Sequence, residues 1–325
     1  MYADGRRGRH TMEMRRIGSL EVSVVGVGCN NFGWRLDAGA TAEVVEAALD
    51  AGITFFDTAD SYGSTRSEGF LGQALGKRRD GVVIATKFGS RIDERRKGAR
   101  PEYVRKAVED SLRRLGTDRI DLYQLHWPDP EVPIGETLGA LDELVQAGKV
   151  REIGCSNFSA EQLREAEEAA PAGSARFASV QNQYSIMHRE PEREVIPECE
   201  RLDLALIPYY PIANGLLTGK YRRGQPMPEG TRIAEGDRYS DLISEQNLAT
   251  VESLIEFAES RGHTMLELAF SWLTSRPTVA SVIAGATSPS QARANAAAAG
   301  WALSESEVEE VEKISSGERS RDGQG

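Results

Sequence analysis

The most constraining feature of this sequence is an alternation, repeated eight times, of short β-branched or aromatic runs with longer stretches of helical spacing. Such alternation is typical of parallel strands joined by helical crossovers. Eight units in 325 residues predict an α/β fold, a closed (β/α)8 TIM barrel, which commonly takes about 250 residues. The predicted strands are Val24–Gly28, Thr54–Thr58, Val82–Phe88, Leu122–His126, Arg151–Ser156, Ser179–Tyr184, Ala205–Tyr210 and Ser281–Gly285. The predicted helices between them are Thr41–Ala51, Glu68–Leu75, Pro101–Leu115, Gly135–Ala147, Ser159–Ala169, Pro191–Arg201, Ser244–Arg261 and Pro289–Ala298.

Three further segments fit around this predicted barrel. Alternating apolar and polar residues between Gly18 and Val25 predict an N-terminal β-hairpin. The glycine- and proline-rich stretch Tyr221–Asp241 predicts a long loop after the seventh strand, and Glu305–Ile314 predicts an extra C-terminal helix. We therefore expect one barrel domain over residues 14–315, with a flexible leader over residues 1–13 and a flexible tail over residues 316–325.

A doubly wound open sheet is the rival architecture. Such a sheet carries a glycine-rich fingerprint, GxGxxG, directly after its first strand. Gly26, Gly28 and Gly33, within and after the first predicted strand, do not match that spacing. The barrel is therefore favoured, and in barrels the reactive side chains lie at the C-terminal ends of the strands.

Composition narrows the classes of function. The chain has 39 basic and 50 acidic residues and a net charge of −11, which argues against a nucleic-acid groove. Its three cysteines are too few for a disulfide framework and do not have metal-ligand spacing, so we expect no metal and a reducing compartment. The sequence contains neither an apolar run of membrane-spanning length nor a secretory signal. We expect a cytoplasmic protein, monomeric or homo-oligomeric, that acts on a small molecule.

Three neighbouring strand ends carry reactive side chains. Asp57 ends the second predicted strand and Tyr62 follows it in the loop, whereas Lys87 and His126 end the third and fourth strands. A lysine within an apolar run needs a partner, which Asp57 can supply. The ammonium of Lys87 is then expected to lower the pKa of Tyr62, which is about 10 for a free tyrosine. Any one of these residues alone could be a helix cap, a loop anchor or a core residue. Together they predict a general acid that protonates a developing alkoxide, as carbonyl reduction requires, with His126 orienting the substrate oxygen.

The later strand ends have a different character. Ser156, Asn157 and Gln181 are neutral hydrogen-bonding residues, and Tyr209 offers an aromatic face. They could hold and stack an amide-bearing ring. A Gly–Ala turn at Gly285 then opens a helix near the eighth strand, where barrels commonly bind phosphate. The sequence thus divides into a catalytic half and a cofactor half.

Several motifs, in this order along the chain, resemble those of the aldo-keto reductase family. They are FFDTADSYG, IATKFG, YQLHWPDP, IGCSNFS, QNQYS, PYYPIANGLLTGKY and GATSPSQARAN. The resemblance extends over nearly the whole chain outside the leader and the tail. It implies a catalytic tetrad of Asp57, Tyr62, Lys87 and His126, with Tyr62 as the proton donor, and a nicotinamide cofactor, usually NADPH.

The resemblance also implies the residues that contact the cofactor. Ser156, Asn157 and Gln181 would bind the carboxamide, and Tyr209 would stack on the ring. The other implied contacts are Gly215, Leu216, Lys220, Arg232, Gly285, Thr287, Gln291 and Asn295. Tyr210 replaces a serine found in many relatives. Gly285 and Gln291 carry no charge where many members have a cation for the 2′-phosphate, so Arg232 or Arg293 would have to serve, and NADPH is expected over NADH.

Aromatic residues near the strand ends indicate the substrate side. Phe32, Trp34, Phe88 and Trp127 are predicted to line a pocket for an apolar or aromatic aldehyde or ketone. Two other functions share parts of this pattern. One is a redox-sensing protein like the β subunits of potassium channels, and the other is an aldolase in which Lys87 forms a Schiff base.

Overall fold

The computed structural model describes residues 12–231, 233–234 and 241–316. Most of the predicted leader, nearly all of the predicted tail and Arg232 lie outside these ranges. In the described ranges no helix is both long enough and apolar enough to cross a membrane.

Eight parallel strands form the barrel, which confirms the predicted fold class. Strand β10 (Val282–Ala284) lies beside β3 (Val25–Gly28), and the others follow in chain order up to β9 (Ala205–Tyr209). The backbone N–H of Leu206 donates to the carbonyl of Thr278 (2.7 Å), and the N–H of Ala280 donates to the carbonyl of Leu206 (3.0 Å), which joins the two ends of the sheet. The barrel strands are β3 (Val25–Gly28), β4 (Phe55–Asp57), β5 (Val83–Phe88), β6 (Ile120–Leu125), β7 (Val150–Ser156), β8 (Phe177–Gln183), β9 (Ala205–Tyr209) and β10 (Val282–Ala284).

The helices form an outer layer, and the strands between them are buried on both faces. Every residue of β5 and β6 is buried, because one side faces the barrel interior and the other faces a helix. The helices are α1 (Ala38–Asp50), α2 (Ser67–Leu75), α3 (Pro101–Leu115), α4 (Ile134–Gln146), α5 (Ala160–Ala169), α6 (Val195–Leu202), α7 (Glu245–Ser260), α8 (Met265–Thr274), α9 (Pro289–Ala297) and α10 (Glu305–Ser316). Helix α10 is the predicted C-terminal helix.

Helix α8 is absent from the sequence-based prediction, which placed a single helix between the seventh and eighth barrel strands. The segment MLELAFSWLT is buried along most of its length, so it has little of the polar face that marks a surface helix. A local signal for it does exist in the sequence. Thr264 and Glu267 form a capping box at its N-terminus, with both reciprocal hydrogen bonds present.

The N-terminal hairpin closes the end of the barrel where the strands begin. Strands β1 (Met14–Ile17) and β2 (Leu20–Ser23) pair antiparallel, as predicted. Ile17 and Leu20 are fully buried in a small core with Phe55 at the bottom of the barrel. The guanidinium of Arg15 donates to the carbonyls of Thr274 (2.6 Å) and Val279 (2.6 Å). These bonds hold the hairpin against the end of α8 and the segment that follows it. The opposite end of the barrel remains open.

Candidate active site

A fully buried ion pair lies at the centre of the open end. The Nζ of Lys87 donates to Oδ2 of Asp57 (2.6 Å) and to the carbonyl of Thr58 (2.9 Å). The two residues come from the adjacent strands β4 and β5. Burial alone would lower the pKa of Lys87, but Asp57 and Tyr62 together more than offset it, so the pKa lies above its ordinary value and the lysine is charged.

Two glutamine amides hold the second oxygen of Asp57. Oδ1 accepts from Nε2 of Gln181 (2.9 Å) and from Nε2 of Gln124 (3.2 Å). Gln124 is missing from the predicted site. Its signal was present, because Gln124 stands two residues before His126 and shares its face of the strand within an otherwise apolar run.

Tyr62 lies next to the ion pair, in the loop after β4. Its hydroxyl is 3.5 Å from Nζ of Lys87, and its ring meets the His126 ring edge-on at 5.8 Å between centroids. Burial raises the pKa of Tyr62 above its usual value. The opposing effect of Lys87 does not outweigh burial, because Asp57 offsets the lysine charge. The expected lowering of this pKa is therefore wrong for the protein without a bound cofactor.

His126 is uncharged at neutral pH. Burial, aided by the charge of Lys87, lowers its pKa to about 3. Its Nδ1 lies 2.9 Å from Oγ of Ser90, a partner that the sequence analysis did not identify. When the Ser90 hydroxyl donates to Nδ1, the neutral ring carries its proton on Nε2 and can donate it to a substrate oxygen.

The side chain of Asn157 connects the catalytic half to the predicted cofactor half. Its Nδ2 donates to the carbonyl of His126 (2.9 Å) and to Oγ of Ser156 (3.1 Å), and its Oδ1 accepts from the hydroxyl of Tyr209 (2.8 Å). The Ser156 hydroxyl donates to the carbonyl of Gln181 (2.8 Å). The four residues predicted to hold a nicotinamide therefore form one connected group beside the tetrad.

A cavity of about 810 Å³ extends across the barrel mouth from the tetrad to β10 and α9. Among the predicted residues it is lined by Asp57, Tyr62, His126, Trp127, Ser156, Asn157, Gln181, Tyr209, Gly215, Lys220, Gly285, Thr287, Gln291 and Asn295. Asn30 and Asn31, which were not predicted, also line it. Lys87 lies beneath this surface, fully buried.

The cavity suits an extended dinucleotide. Gly285 and Asn31 both line the far end of the cavity, and a Cβ on Gly285 would come within 3.0 Å of Nδ2 of Asn31. The absence of a side chain at Gly285 therefore leaves space at this end. Lys220 contributes a cation, and partial burial lowers its pKa. Tyr209 contributes an aromatic wall near the tetrad, and polar side chains surround it. These are the groups that a nicotinamide, a pyrophosphate and an adenosine need.

Some predicted residues do not line the cavity. Leu216 is buried, and Arg293 on α9 is exposed. Phe32 and Phe88 are fully buried, and Phe88 stacks on Tyr123 at 4.7 Å between ring centroids. Phe88 follows the inward-pointing Lys87, so its side chain faces the helices instead.

The two tryptophans differ in position. Trp34 is 61% exposed and lies outside the cavity lining, whereas Trp127 is 51% exposed and lines it beside His126. A second cavity, of about 600 Å³, shares Trp127, Asn157, Gln183 and Tyr209 with the first. It continues past Phe158 towards the polar segment around His188 and Arg193.

No cluster of three or more His, Cys, Asp or Glu side chains suited to a metal ion occurs in the part of the chain that the structure describes.

Comparisons with known proteins show the family to which this chain belongs. The sequence profile of the Aldo/keto reductase family matches residues 24–316. The chain is 34% identical over 305 residues to the aldo-keto reductase YhdN of Bacillus subtilis, covering 91% of this chain and 90% of YhdN. It is 33% identical over 301 residues to probable aldo-keto reductase 1 of Glycine max, covering 90% and 85% of the two chains. The structure matches that of a glycerol dehydrogenase from Gluconobacter oxydans with a TM-score of 0.81 and 32% identity, over 93% of this chain and 94% of the other.

Proposed function

Because this chain belongs to the aldo/keto reductase family, whose members are oxidoreductases that generally use a nicotinamide cofactor, we propose that it reduces an aldehyde or ketone to the alcohol with NADPH. The observation that carries the proposal is the position of the Tyr62 hydroxyl, 3.5 Å from Nζ of Lys87 and at the wall of a cavity that suits a dinucleotide. An acid, its charged partner and space for a hydride donor then meet at one place.

In the proposed mechanism NADPH, when bound, supplies the hydride. The Tyr62 hydroxyl donates its proton to the carbonyl oxygen as that oxygen gains negative charge. The Lys87 ammonium stabilises the phenolate that remains, and Asp57 keeps the lysine charged and in place. The pKa of His126 is about 3, so its ring is neutral near pH 7 and has no imidazolium proton to give. It orients the substrate oxygen instead, by a hydrogen bond from Nε2.

The preference for NADPH is supported by the charge of the cofactor half. Lys220 lines the cavity, and the long loop after β9 reaches its edge at Gly230 and Thr231, next to Arg232. The family resemblance implies that Arg232 binds the 2′-phosphate, with Arg293 as the alternative. We expect Arg232→Ala or Arg293→Ala to weaken NADPH about tenfold while changing NADH little, since a charged hydrogen bond is worth about 1.5–3 kcal/mol. Equal weakening of both nucleotides by both variants, measured by calorimetry, would contradict a 2′-phosphate role.

For the substrate, the structure supports a carbonyl compound with an apolar or aromatic part near Trp127 and a polar part farther out. Trp127 is largely exposed beside His126, and the second cavity beyond it ends in polar and charged side chains. A dinucleotide would take up most of the first cavity, so the second is the space left for the far part of a substrate.

The aldolase alternative is disfavoured by the state of Lys87. A Schiff-base lysine must be neutral to attack a carbonyl, and here Asp57 raises its pKa while the surrounding residues bury it completely. Borohydride trapping with a carbonyl substrate distinguishes the two functions, since a stable adduct on Lys87 would favour the aldolase. No contact among the described residues favours the channel-subunit alternative.

The test of the proposed function is an NADPH-oxidation assay with aromatic aldehydes, hydroxylated aldehydes and ketones. The structural relative is a glycerol dehydrogenase, so small polyols with NADP⁺ belong in the same panel. We expect turnover with at least one carbonyl and a micromolar or tighter Kd for NADPH. Absence of NADPH and NADH binding at millimolar concentration would refute the proposal.

A further inference from the structure

Gln124 lies beneath the active site and is not part of the tetrad. It is fully buried on β6, and its Nε2 donates to Oδ1 of Asp57 (3.2 Å). A carboxylate can only accept hydrogen bonds, so the amide must turn its NH2 group towards Asp57. Burying a polar amide in this position costs free energy unless its hydrogen bonds are made. Its contacts therefore need an explanation.

The second glutamine completes a triangle with the first. Nε2 of Gln181 donates to the same Asp57 oxygen (2.9 Å) and lies 3.4 Å from Oε1 of Gln124. Both N–H groups of the Gln181 side-chain amide are thus used by buried partners, one by Asp57 and one by Gln124. Its acceptor Oε1 has no donor among the described residues, and Gln181 lines the large cavity. That oxygen is available to accept a hydrogen bond from an amide bound in the cavity.

A glycine makes this contact possible. Gln124 on β6 and Gln181 on β8 lie on either side of β7, where Gly154 is paired with Gln124. A Cβ on Gly154 would come within 3.3 Å of Cγ of Gln124 and 2.7 Å of Oγ of Ser179. The missing side chain therefore gives the two amides room to meet across the intervening strand.

We propose that Gln124 is a positioning residue that fixes Gln181, so that seating of the nicotinamide carboxamide is tied to the Asp57–Lys87 ion pair. The inference rests on the proposed use of NADPH. A carboxamide NH2 that donates to Oε1 of Gln181 polarises that amide and strengthens its N–H bonds to Asp57. Gln124 keeps the Gln181 amide in the orientation that permits both contacts.

The same two amides affect the acid. Asp57 acts to raise the pKa of Tyr62, whereas Lys87 acts to lower it. Hydrogen bonds to Oδ1 withdraw part of the aspartate charge from the Lys87 side. The lysine then acts more strongly on the phenol, and Tyr62 becomes a better acid when the cofactor is seated.

The test compares Gln124→Met, which keeps the shape but removes the donor, with Gln124→Glu. Gln146→Met on the exposed surface of α4 is the control. Calorimetry measures the Kd of NADPH and of adenosine 2′,5′-bisphosphate, which lacks the nicotinamide. We expect Gln124→Met to weaken NADPH about tenfold, because Gln181 is no longer held in the orientation that accepts from the carboxamide and one such hydrogen bond is worth about that factor. The Kd of the bisphosphate should change less than twofold. Equal effects on both nucleotides, or on neither, overturn the inference.

The glutamate variant adds a pH test within the same assay. Burial beside Asp57 raises the pKa of a glutamate at this position, and its protonated form can donate to Asp57. In Gln124→Glu, the ratio of the Kd of NADPH to the Kd of the bisphosphate should therefore approach the wild-type value at pH 5.5. At pH 8.5 this ratio should rise to that of Gln124→Met. Gln124→Met should be equally weak at both values. A glutamate variant that matches the methionine variant at both pH values counts against a donor role.

The pH profile of alcohol oxidation gives a third readout. Tyr62 must be deprotonated for this direction, so kcat rises with pH through the pKa of Tyr62, and this rising limb should move up by about one pH unit in Gln124→Met. A merely structural effect would lower kcat without moving the limb. Wild-type protein that fails to bind NADPH would refute the proposed function itself. Wild-type binding together with unchanged variants would refute only the role of Gln124.

Discussion

Two buried aspartates at opposite ends of the barrel show how the same side chain serves chemistry at one end and stability at the other. Asp57 ends β4 at the open mouth, and its cation, Lys87, is fully buried. Asp121 lies near the start of β6 at the closed end, bound to Arg79 (2.7 Å) and Arg151 (3.1 Å), whose side chains are 12% and 43% exposed. Its Oδ2 also accepts from the backbone N–H of Ile84 (2.9 Å).

The difference lies in where the positive charge can go. At the closed end both guanidinium groups are partly exposed, so solvent screens their charge. Apart from Asp121, Arg79 donates to the hydroxyl of Thr117 and to the carbonyls of Val82 and Arg119. At the mouth the ammonium is held without water, and the nearest group that its charge can influence is the Tyr62 hydroxyl. Low dielectric strengthens that influence. The comparison predicts that changes at the mouth affect turnover, whereas changes at the closed end affect only folding.

The largest effect is expected from Lys87→Met. The variant should lose turnover by more than 10²-fold, because Tyr62 loses the cation that stabilises its phenolate. It should also lose about 3–5 kcal/mol of unfolding free energy, because Asp57 is left as an unpaired buried charge. Single-turnover hydride transfer and urea unfolding measure the two effects. Full stability in this variant would show that Asp57 is not left as an unpaired buried charge.

Tyr62→Phe should separate chemistry from stability at the mouth. Only one hydroxyl is removed, so the fold and the nucleotide affinity should stay close to those of the wild type. Turnover should fall by about 10²–10⁴-fold, the usual contribution of a positioned general acid. Kinetics with any carbonyl that the wild type reduces, together with a melting curve, test this. Wild-type turnover would mean that the proton comes from another group.

How far the sequence predicts this site depends on whether a residue acts through position or through contacts. The barrel and the hairpin follow from alternation, which also locates the strand ends at Asp57, Lys87 and His126. Tyr62 lies in the loop after β4, near one of these ends. The sequence places Gln124 on the same face of the strand as His126, but only the atoms that it touches show what it does there. Phe88 is predicted in the pocket as an aromatic residue at a strand end, but it directly follows Lys87, and neighbours on a strand point to opposite sides. The family resemblance itself is confirmed by the match over residues 24–316.

At the closed end we expect Asp121→Ala to reduce stability without changing chemistry. Removing the carboxylate leaves Arg79 and Arg151 without their shared partner and the N–H of Ile84 without its acceptor. The expected loss is about 3 kcal/mol of unfolding free energy. Denaturant unfolding and kcat on the same preparation provide the measurement. A large fall in kcat at unchanged nucleotide affinity would contradict the separation of the two ends.

The smallest effect concerns a third buried aspartate, Asp60, behind the Tyr62 loop. Its Oδ2 accepts a long hydrogen bond from the hydroxyl of Tyr103 (3.4 Å), and its Oδ1 has no partner among the described residues. Burial first, and the nearby Glu68 second, raise its pKa to about 7, against the lowering effects of Arg114 and Tyr103. The buried Tyr123 also lies close enough to interact with it. Unlike Asp121, this carboxylate lacks a cation of its own.

Asp60 should therefore make the protein less stable as the pH rises. Between pH 4 and 7 the folded protein keeps a proton on Asp60 that the unfolded chain, with a pKa near 3.8, has lost. The folded state binds more protons, so the unfolding free energy falls with pH through this window, by about 3 kcal/mol for Asp60, and levels off above pH 7. Asp60→Asn removes this titration. Urea unfolding of both proteins at pH 4.5 and 8 should show that the unfolding free energy of the variant rises relative to that of the wild type as the pH increases. The reason is that only the wild type acquires the buried charge. A constant difference between the two proteins would mean that Asp60 is already charged at pH 4.5, and that the mouth tolerates a buried carboxylate as well as the closed end does.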